Sequence, residues 1–209
     1  AKSCKAILDR EGIFVFPDFA SPKAVKELQR EAKELKPNAY RSSSSYNLYV
    51  LQKDPSFSED SPRNREFKTT KGCIADDQIP ATSNLRTIYD SPTFRKFLCE
   101  VLGIPSLYPY ADPLSSININ YYDPSDSLEW HFDNADFAIT LLLKKCMKGG
   151  EYEYFTNMRY KENGEEDYEK VRKSIDGEVE PEKKSMDEGG LMLFRGNRSL
   201  HRVSRVEAG

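Results

Sequence analysis

Two amphipathic stripes and a succession of short alternating runs organise the chain. Gly12-Ile13-Phe14-Val15-Phe16-Pro17 predicts a short apolar strand running into a turn. Ser21-Pro22 then opens a helix, because serine caps free N–H groups and proline suits the first helical position. Val25, Leu28, Ala32 and Leu35 recur at helical spacing until Pro37 ends the run. The same device returns at Ser91-Pro92, with Phe94, Phe97, Leu98, Val101 and Leu102 on one face and Gly103 as the stop. Both stripes predict helices that pack against a sheet.

From Leu107 the texture becomes β. Ser116 to Tyr122 alternates apolar and polar side chains, the mark of a strand with two unlike faces. With Ile117 and Ile119 packed outward on helices, Asn118, Asn120 and Tyr122 line a cavity, or the asparagines simply satisfy neighbouring strand ends. Phe137–Leu143, Glu151–Phe155 and Leu191–Phe194 predict further strands, set off by Gly149-Gly150 and Gly189-Gly190. Lys161–Glu188 is dense in charge and predicts an insertion with a solvated helix over 165–175. Arg41–Asp77 is polar, with four consecutive serines at 42–45, and predicts a long surface loop. Its length suits an active-site cover, with Arg41, Tyr46, Asn47 and Tyr49 facing a ligand. Short strands preceded by helices predict one domain, residues 1–209, built as an antiparallel β-sandwich or jelly roll.

Charge adds exclusions. Against 31 basic residues stand 34 acidic ones, and the net charge of −3 gives no attraction to nucleic acid. Nothing approaches the ~20 apolar residues that a membrane span needs. The four cysteines, Cys4, Cys73, Cys99 and Cys146, are scattered without a CxxC. They predict reduced thiols of an intracellular, cytoplasmic protein rather than a disulfide framework.

Only two histidines occur in the chain, and each sits in a strand-like motif: Glu129-Trp130-His131-Phe132-Asp133-Asn134 and Leu200-His201-Arg202-Val203. In an extended piece His131 and Asp133 project to one face, because the strand period is two. A second imidazole from a later strand completes a three-point cap on a metal, the facial triad of non-haem Fe(II) oxygenases. By itself a His-x-Asp pair is also the common case of two polar residues at a strand end.

The surrounding segments decide between these. Tyr110-Ala111-Asp112-Pro113, Asn118–Tyr122, Trp130–Phe137, Gly149–Tyr154, Leu193–Gly196 and Ser199–Val203 follow in an order that resembles Fe(II)/2-oxoglutarate-dependent oxygenases of the double-stranded β-helix fold. Within them the chain is most similar to the branch containing halogenases of free amino acids and their hydroxylase relatives. That resemblance implies Fe(II), 2-oxoglutarate and O₂ as cofactor and co-substrates. It implies His131, Asp133 and His201 as metal ligands. The halogenases carry glycine where this chain has Asp133, so the resemblance implies hydroxylation, desaturation or ring closure of a small molecule, an amino acid or its derivative. Asn118, Asn120 and Tyr122 are the expected co-substrate contacts. Arg41, Glu129, Asn134, Asp136 and Arg195 are the expected substrate contacts, with a structural salt bridge the alternative for Arg195. The fold usually anchors 2-oxoglutarate with an arginine further along than Arg202 or Arg205, which places that anchor and the last strands beyond Gly209. An oxygenase of protein side chains and an inert β-sandwich binding module remain the alternatives.

Overall fold

In the computed structural model, which describes residues 1–209, the N-terminal half is mixed. It comprises helix α1 (Lys2–Glu11), strand β1 (Ile13–Phe16), helix α2 (Pro22–Leu35), strands β2 (Tyr40–Asn47) and β3 (Glu66–Ile74), and helices α3 (Asn84–Asp90) and α4 (Pro92–Leu102). Strands β4 (Ile119–Tyr121), β5 (Leu128–His131), β6 (Ala138–Leu141), β7 (Lys148–Gly149) and β8 (Tyr152–Phe155) follow. Helix α5 (Tyr168–Ile175) separates them from β9 (Glu182–Lys184), β10 (Leu191–Phe194), β11 (Leu200–Val203) and β12 (Val206–Ala208).

The capping signals act as the sequence predicts. Ser21 Oγ accepts from Ala24 N–H at 3.3 Å, and Ser91 Oγ from Phe94 N–H at 3.2 Å. Gly103 closes α4 in the left-handed region, φ 72°, where its N–H reaches Cys99 O. Helix α2 buries Val25, Leu28 and Ala32, and Ala32 packs on Ile74, Ile79 and Ile119 beneath the β2–β3–β4 sheet. Helices α1 and α4 pack Leu8, Leu98, Val101 and Leu102 onto Leu193 of β10. Each such buried aliphatic side chain contributes about 1.5–3 kcal/mol. Both expected helices therefore back sheets.

Four antiparallel sheets make up the β portion, with strand orders β1–β10–β6, β5–β11–β8–β9, β12–β7 and β2–β3–β4. The second sheet carries both histidines: β11 lies between β5 and β8, and His201 is the cross-strand partner of His131. No helix is long and apolar enough to cross a membrane, and none of the four cysteines is paired.

Three expectations need correction. The predicted loop over 41–77 contains a hairpin, with Tyr40–Asn47 paired to Glu66–Cys73, and residues 48–65 between the strands are irregular. Its register is set by the neighbours: β3 also pairs with β4, and Thr70 bridges to Ser127. Four successive serines carry no polarity alternation, so this strand left no periodic signal. The charged insertion is not wholly solvated. Val171 of α5 is fully buried with Leu48, Tyr49, Trp130 and Phe132, and β9 extends the histidine-bearing sheet. Finally, the 116–122 strand is hydrogen-bonded only over Ile119–Tyr121.

Candidate active site

Alternation in β5 and just beyond it splits the motif into two faces. Trp130 and Phe132 turn into the core formed with Phe155 and Leu200, and Phe132 is completely buried. His131 and Asp133 turn the other way. Backbone hydrogen bonds fix the exit from the strand: Phe132 N–H donates to Leu48 O at 2.7 Å and Asp133 N–H to Gly196 O at 3.0 Å. On β11, Leu200 and Arg202 face that core, where the Arg202 guanidinium lies 4.5 Å from the Trp130 ring and pairs with Glu153 at 2.6 Å. His201 faces His131, their ring centroids 4.2 Å apart. Trp130 is thus a packing residue.

Each imidazole is oriented by its own strand. His131 Nδ1–H donates to Glu129 O at 2.8 Å, and His201 Nδ1–H to Ser199 O at 2.9 Å. In the neutral ring this leaves Nε2 as the free acceptor. Both Nε2 atoms lie 3.5 Å from Asp133 Oδ1. Cis ligands on one metal at ~2.1 Å stand about 3 Å apart, so a modest contraction would seat an ion. Burial, and then the neighbouring His201, push the His131 pKa down, which favours the neutral, ligating form. For Asp133, burial acts upward, but the two neighbouring histidines outweigh it and hold the carboxyl below the usual range. Asp133 Oδ2 is buried without any partner. A carboxylate with an orphaned oxygen, flanked by two imidazole acceptors, suits a divalent metal.

Around this triad the walls are aromatic on one side. Tyr152 and Phe194 place their ring centroids 5.8 and 5.0 Å from that of His201. Tyr46 of β2 stands edge-on to His131 at 6.3 Å and donates its hydroxyl to Thr69 Oγ1 at 2.8 Å. Asp133 and Glu129 are both near enough to Tyr46 to raise its pKa further, after burial as the main cause. Glu129, two residues before His131, thus lies near Tyr46.

The other sequence candidates divide. Ile119 packs on α2, so Asn118, Asn120 and Tyr122 project to the opposite face of the β2–β3–β4 sheet, the one shared with Tyr46. Tyr122 lies near Tyr46 and burial raises its pKa, while Asn118 and Asn120 are exposed. Asn134 and Asp136 sit in the exposed bend after Asp133, where Asp136 accepts from Asn197 Nδ2 at 2.6 Å. Two arginines are not brought to the triad. Arg41 projects from the α2 side of the hairpin and grips Asp126 through two hydrogen bonds of 2.7 and 2.9 Å. Arg195 pairs with Asp9 of α1 at 2.9 Å, the structural alternative. Arg205 is exposed.

Sequence reasoning gave no role to Tyr152, Gly196 or Lys71. Tyr152 was accessible through the alternation of Glu151–Tyr154. Lys71 lies on the triad-facing side of a strand concealed by the apparent loop. Gly196 has no local signal: a Cβ there would overlap Asp133 Oδ2, a contact made only by the fold.

A family model described as Halogenase D matches residues 1–209. The chain belongs to the Halogenase D family. No curated protein shows a significant sequence match. Among solved structures, a 2OG-Fe(II) oxygenase family oxidoreductase from Burkholderia pseudomallei aligns over 100% of this chain and 85% of its own, with TM-score 0.58 and 12% identity. A prolyl hydroxylase from Trichoplax adhaerens, solved with a hypoxia inducible factor peptide fragment, aligns over 99% and 83%, with TM-score 0.54 and 11% identity. SnoN, a non-heme alpha-ketoglutarate dependent epimerase from nogalamycin biosynthesis, aligns over 99% and 77%, with TM-score 0.60 and 14% identity. At these identities the likeness speaks for fold: a double-stranded β-helix with flanking helices. Family and fold make this Halogenase D member an Fe(II)/2-oxoglutarate-dependent oxygenase, with Fe(II), 2-oxoglutarate and O₂ as its cofactor and co-substrates.

Proposed function

We propose that this chain oxidises a C–H bond of a small molecule, a free amino acid or a derivative, by inserting oxygen rather than halogen. His131, Asp133 and His201 hold the iron in this reading. The observation that carries it is the carboxylate itself: Asp133 stands 3.5 Å from both Nε2 atoms, at the position where halogenases of the resembled branch carry glycine. With iron bound, that carboxylate would take the coordination position a halide would need. When bound, the iron with 2-oxoglutarate and O₂ supplies the oxidising power, and the co-substrate leaves as succinate and CO₂. The chain's own contributions are positional. Backbone carbonyls of Glu129 and Ser199 hold the imidazoles. Tyr46, Tyr152 and Phe194 shield the triad from bulk water. Glu129 offers a carboxylate beside the triad for a substrate ammonium.

The test is succinate formation against a panel of free amino acids, with products weighed by mass spectrometry. An amino acid that gains one oxygen, or loses two hydrogens, in step with succinate supports the proposal. Chloride incorporation by the unaltered chain would contradict it. Turnover of a prolyl peptide but of no free amino acid would move the substrate class to protein side chains, as in the Trichoplax enzyme's complex.

Asp133→Ala is expected to abolish coupled product formation, a loss of at least about 100-fold. Full activity in that variant would remove Asp133 from the ligand set.

A further inference from the structure

The inner face of the β2–β3–β4 sheet carries one cation. Antiparallel register puts Tyr40, Ser42, Ser44 and Tyr46 of β2 on the same side as Cys73, Lys71 and Thr69 of β3. Asn120 of β4, opposite Cys73, joins them. This is the triad side, since Tyr46 borders His131 and Thr69 Oγ1 accepts from the Glu129 N–H at 3.0 Å. The reverse face, with Gly72, Ile74, Ile119 and Tyr121, lies against α2, where the Tyr121 hydroxyl donates to Ala32 O. Every other residue named on the inner face is neutral, so the charge of Lys71 is isolated among hydroxyls, amides and one thiol.

Lys71 is also without a partner. It is half-buried, and its ammonium makes no ion pair, although Asp133 is near enough for its charge to be felt. Burial is the main influence on it and depresses its pKa, so the nearby Asp133 offsets the desolvation of the charge only in part. Asp133 is the third corner of the proposed metal site, 3.5 Å from each histidine Nε2. A partly buried cation without an ion-pair partner, facing an active site, is costly unless something bound there neutralises it.

We infer that Lys71 is the carboxylate-binding residue of this active site, pairing with a ligand carboxylate held beside the metal centre. This rests on the oxygenase reading above, which supplies two such ligands: the co-substrate and a zwitterionic amino acid. Their shared chemistry is a carboxylate, which an ammonium recognises as a point charge. Lys71 thereby takes the role the sequence suggested for Arg41 and Arg195, both of which are held elsewhere by ion pairs.

The experiment uses Lys71→Met, which keeps length without charge, Lys71→Gln as a more polar companion should the first unfold, and Lys71→Arg, which keeps charge. Three anaerobic titrations are compared with the unaltered chain: Fe(II) alone, 2-oxoglutarate into the Fe(II)-loaded protein followed by its visible charge-transfer absorption, and each proteinogenic amino acid into the loaded complex by calorimetry. Removing the charge should weaken one carboxylate ligand by about 10- to 150-fold, with Lys71→Arg recovering most of the loss. Loss in the second titration assigns the lysine to the co-substrate; loss confined to the third assigns it to the substrate. Iron binding alone should be unchanged or slightly tighter, since a like charge near the metal has gone. If both ligands bind the neutral variants normally, or if only iron affinity changes, Lys71 merely balances Asp133 and the inference is overturned. Failure of the unaltered chain to bind iron and 2-oxoglutarate would instead overturn the oxygenase reading and this inference with it.

Discussion

Asp133 is held in place by what its neighbours lack. Gly196 gives up its O to the Asp133 N–H and, having no Cβ, leaves room for Oδ2. Its backbone lies outside the left-handed region, so alanine is excluded by space alone. Gly196→Ala is therefore expected to displace the carboxylate, lowering Fe(II) affinity by about 10- to 100-fold while the fold survives. Calorimetric metal titration beside a thermal melt checks this; unchanged affinity would mean that Asp133 moves freely. The triad was legible from the sequence because the two histidines lie in strand-like motifs with a carboxylate two residues from one. Gly196 was not, because its constraint is a contact between segments far apart in the chain. Arg41 misled for a related reason: in a stretch without visible alternation, nothing shows which face a side chain takes.

Elements deliver the ligands through alternation, and this makes the strand after Leu128 sensitive on its hidden side. Phe132 sits between two triad residues and is fully buried against Tyr49 and its cluster. Phe132→Ala is expected to cost about 3–5 kcal/mol in urea unfolding. It should also loosen His131 and Asp133 together, seen as weaker iron binding; a loss of stability with wild-type iron affinity would show that the ligands do not depend on this anchor. The hairpin β2–β3 is tied to the turn before β5 by Arg41 and Asp126. Burial acts to raise the Asp126 pKa, but hydrogen bonds from Arg41 and from the Asp123 N–H outweigh it and leave the carboxyl lowered. An aspartate lowered on folding stabilises above its unfolded value, near 4, and that contribution fades as pH falls through the lower folded value. Arg41 is half-exposed, so Arg41→Ala should cost only about 1–2 kcal/mol at neutral pH. Asp126→Asn should flatten the stability loss below about pH 4 in urea titrations across pH 3–7. An equally steep acid limb in Asp126→Asn would assign that limb to other carboxylates. Helices α2 and α4 were legible because Ser-Pro caps and apolar stripes are local signals. Helix α1 was not, since Leu8 is its one buried residue and a single position has no period. The hairpin hid because serine suits strand and loop alike and its register depends on β4 and β5.

At the scale of the molecule, helices back the sheets and the histidine-bearing strands turn their polar residues inward, so one face of the β5–β11–β8–β9 sheet is core and the other carries the triad histidines. That arrangement follows from alternation applied to strands whose order the sequence supplied, which is why the fold class was legible even where a hairpin, a helix and the burial of α5 were not. It also accounts for the position of Lys71 opposite the triad. The central claim is that His131, Asp133 and His201 form one iron site that takes 2-oxoglutarate in a Halogenase D chain retaining its carboxylate. The most direct measurement is an anaerobic Fe(II) titration of the purified protein with and without 2-oxoglutarate, followed by visible absorption. The account predicts one iron per chain and a charge-transfer band that requires both components, disappears in His131→Ala and His201→Ala, and weakens in Asp133→Ala. A folded protein that binds no iron, or a band that survives loss of either histidine, would contradict it.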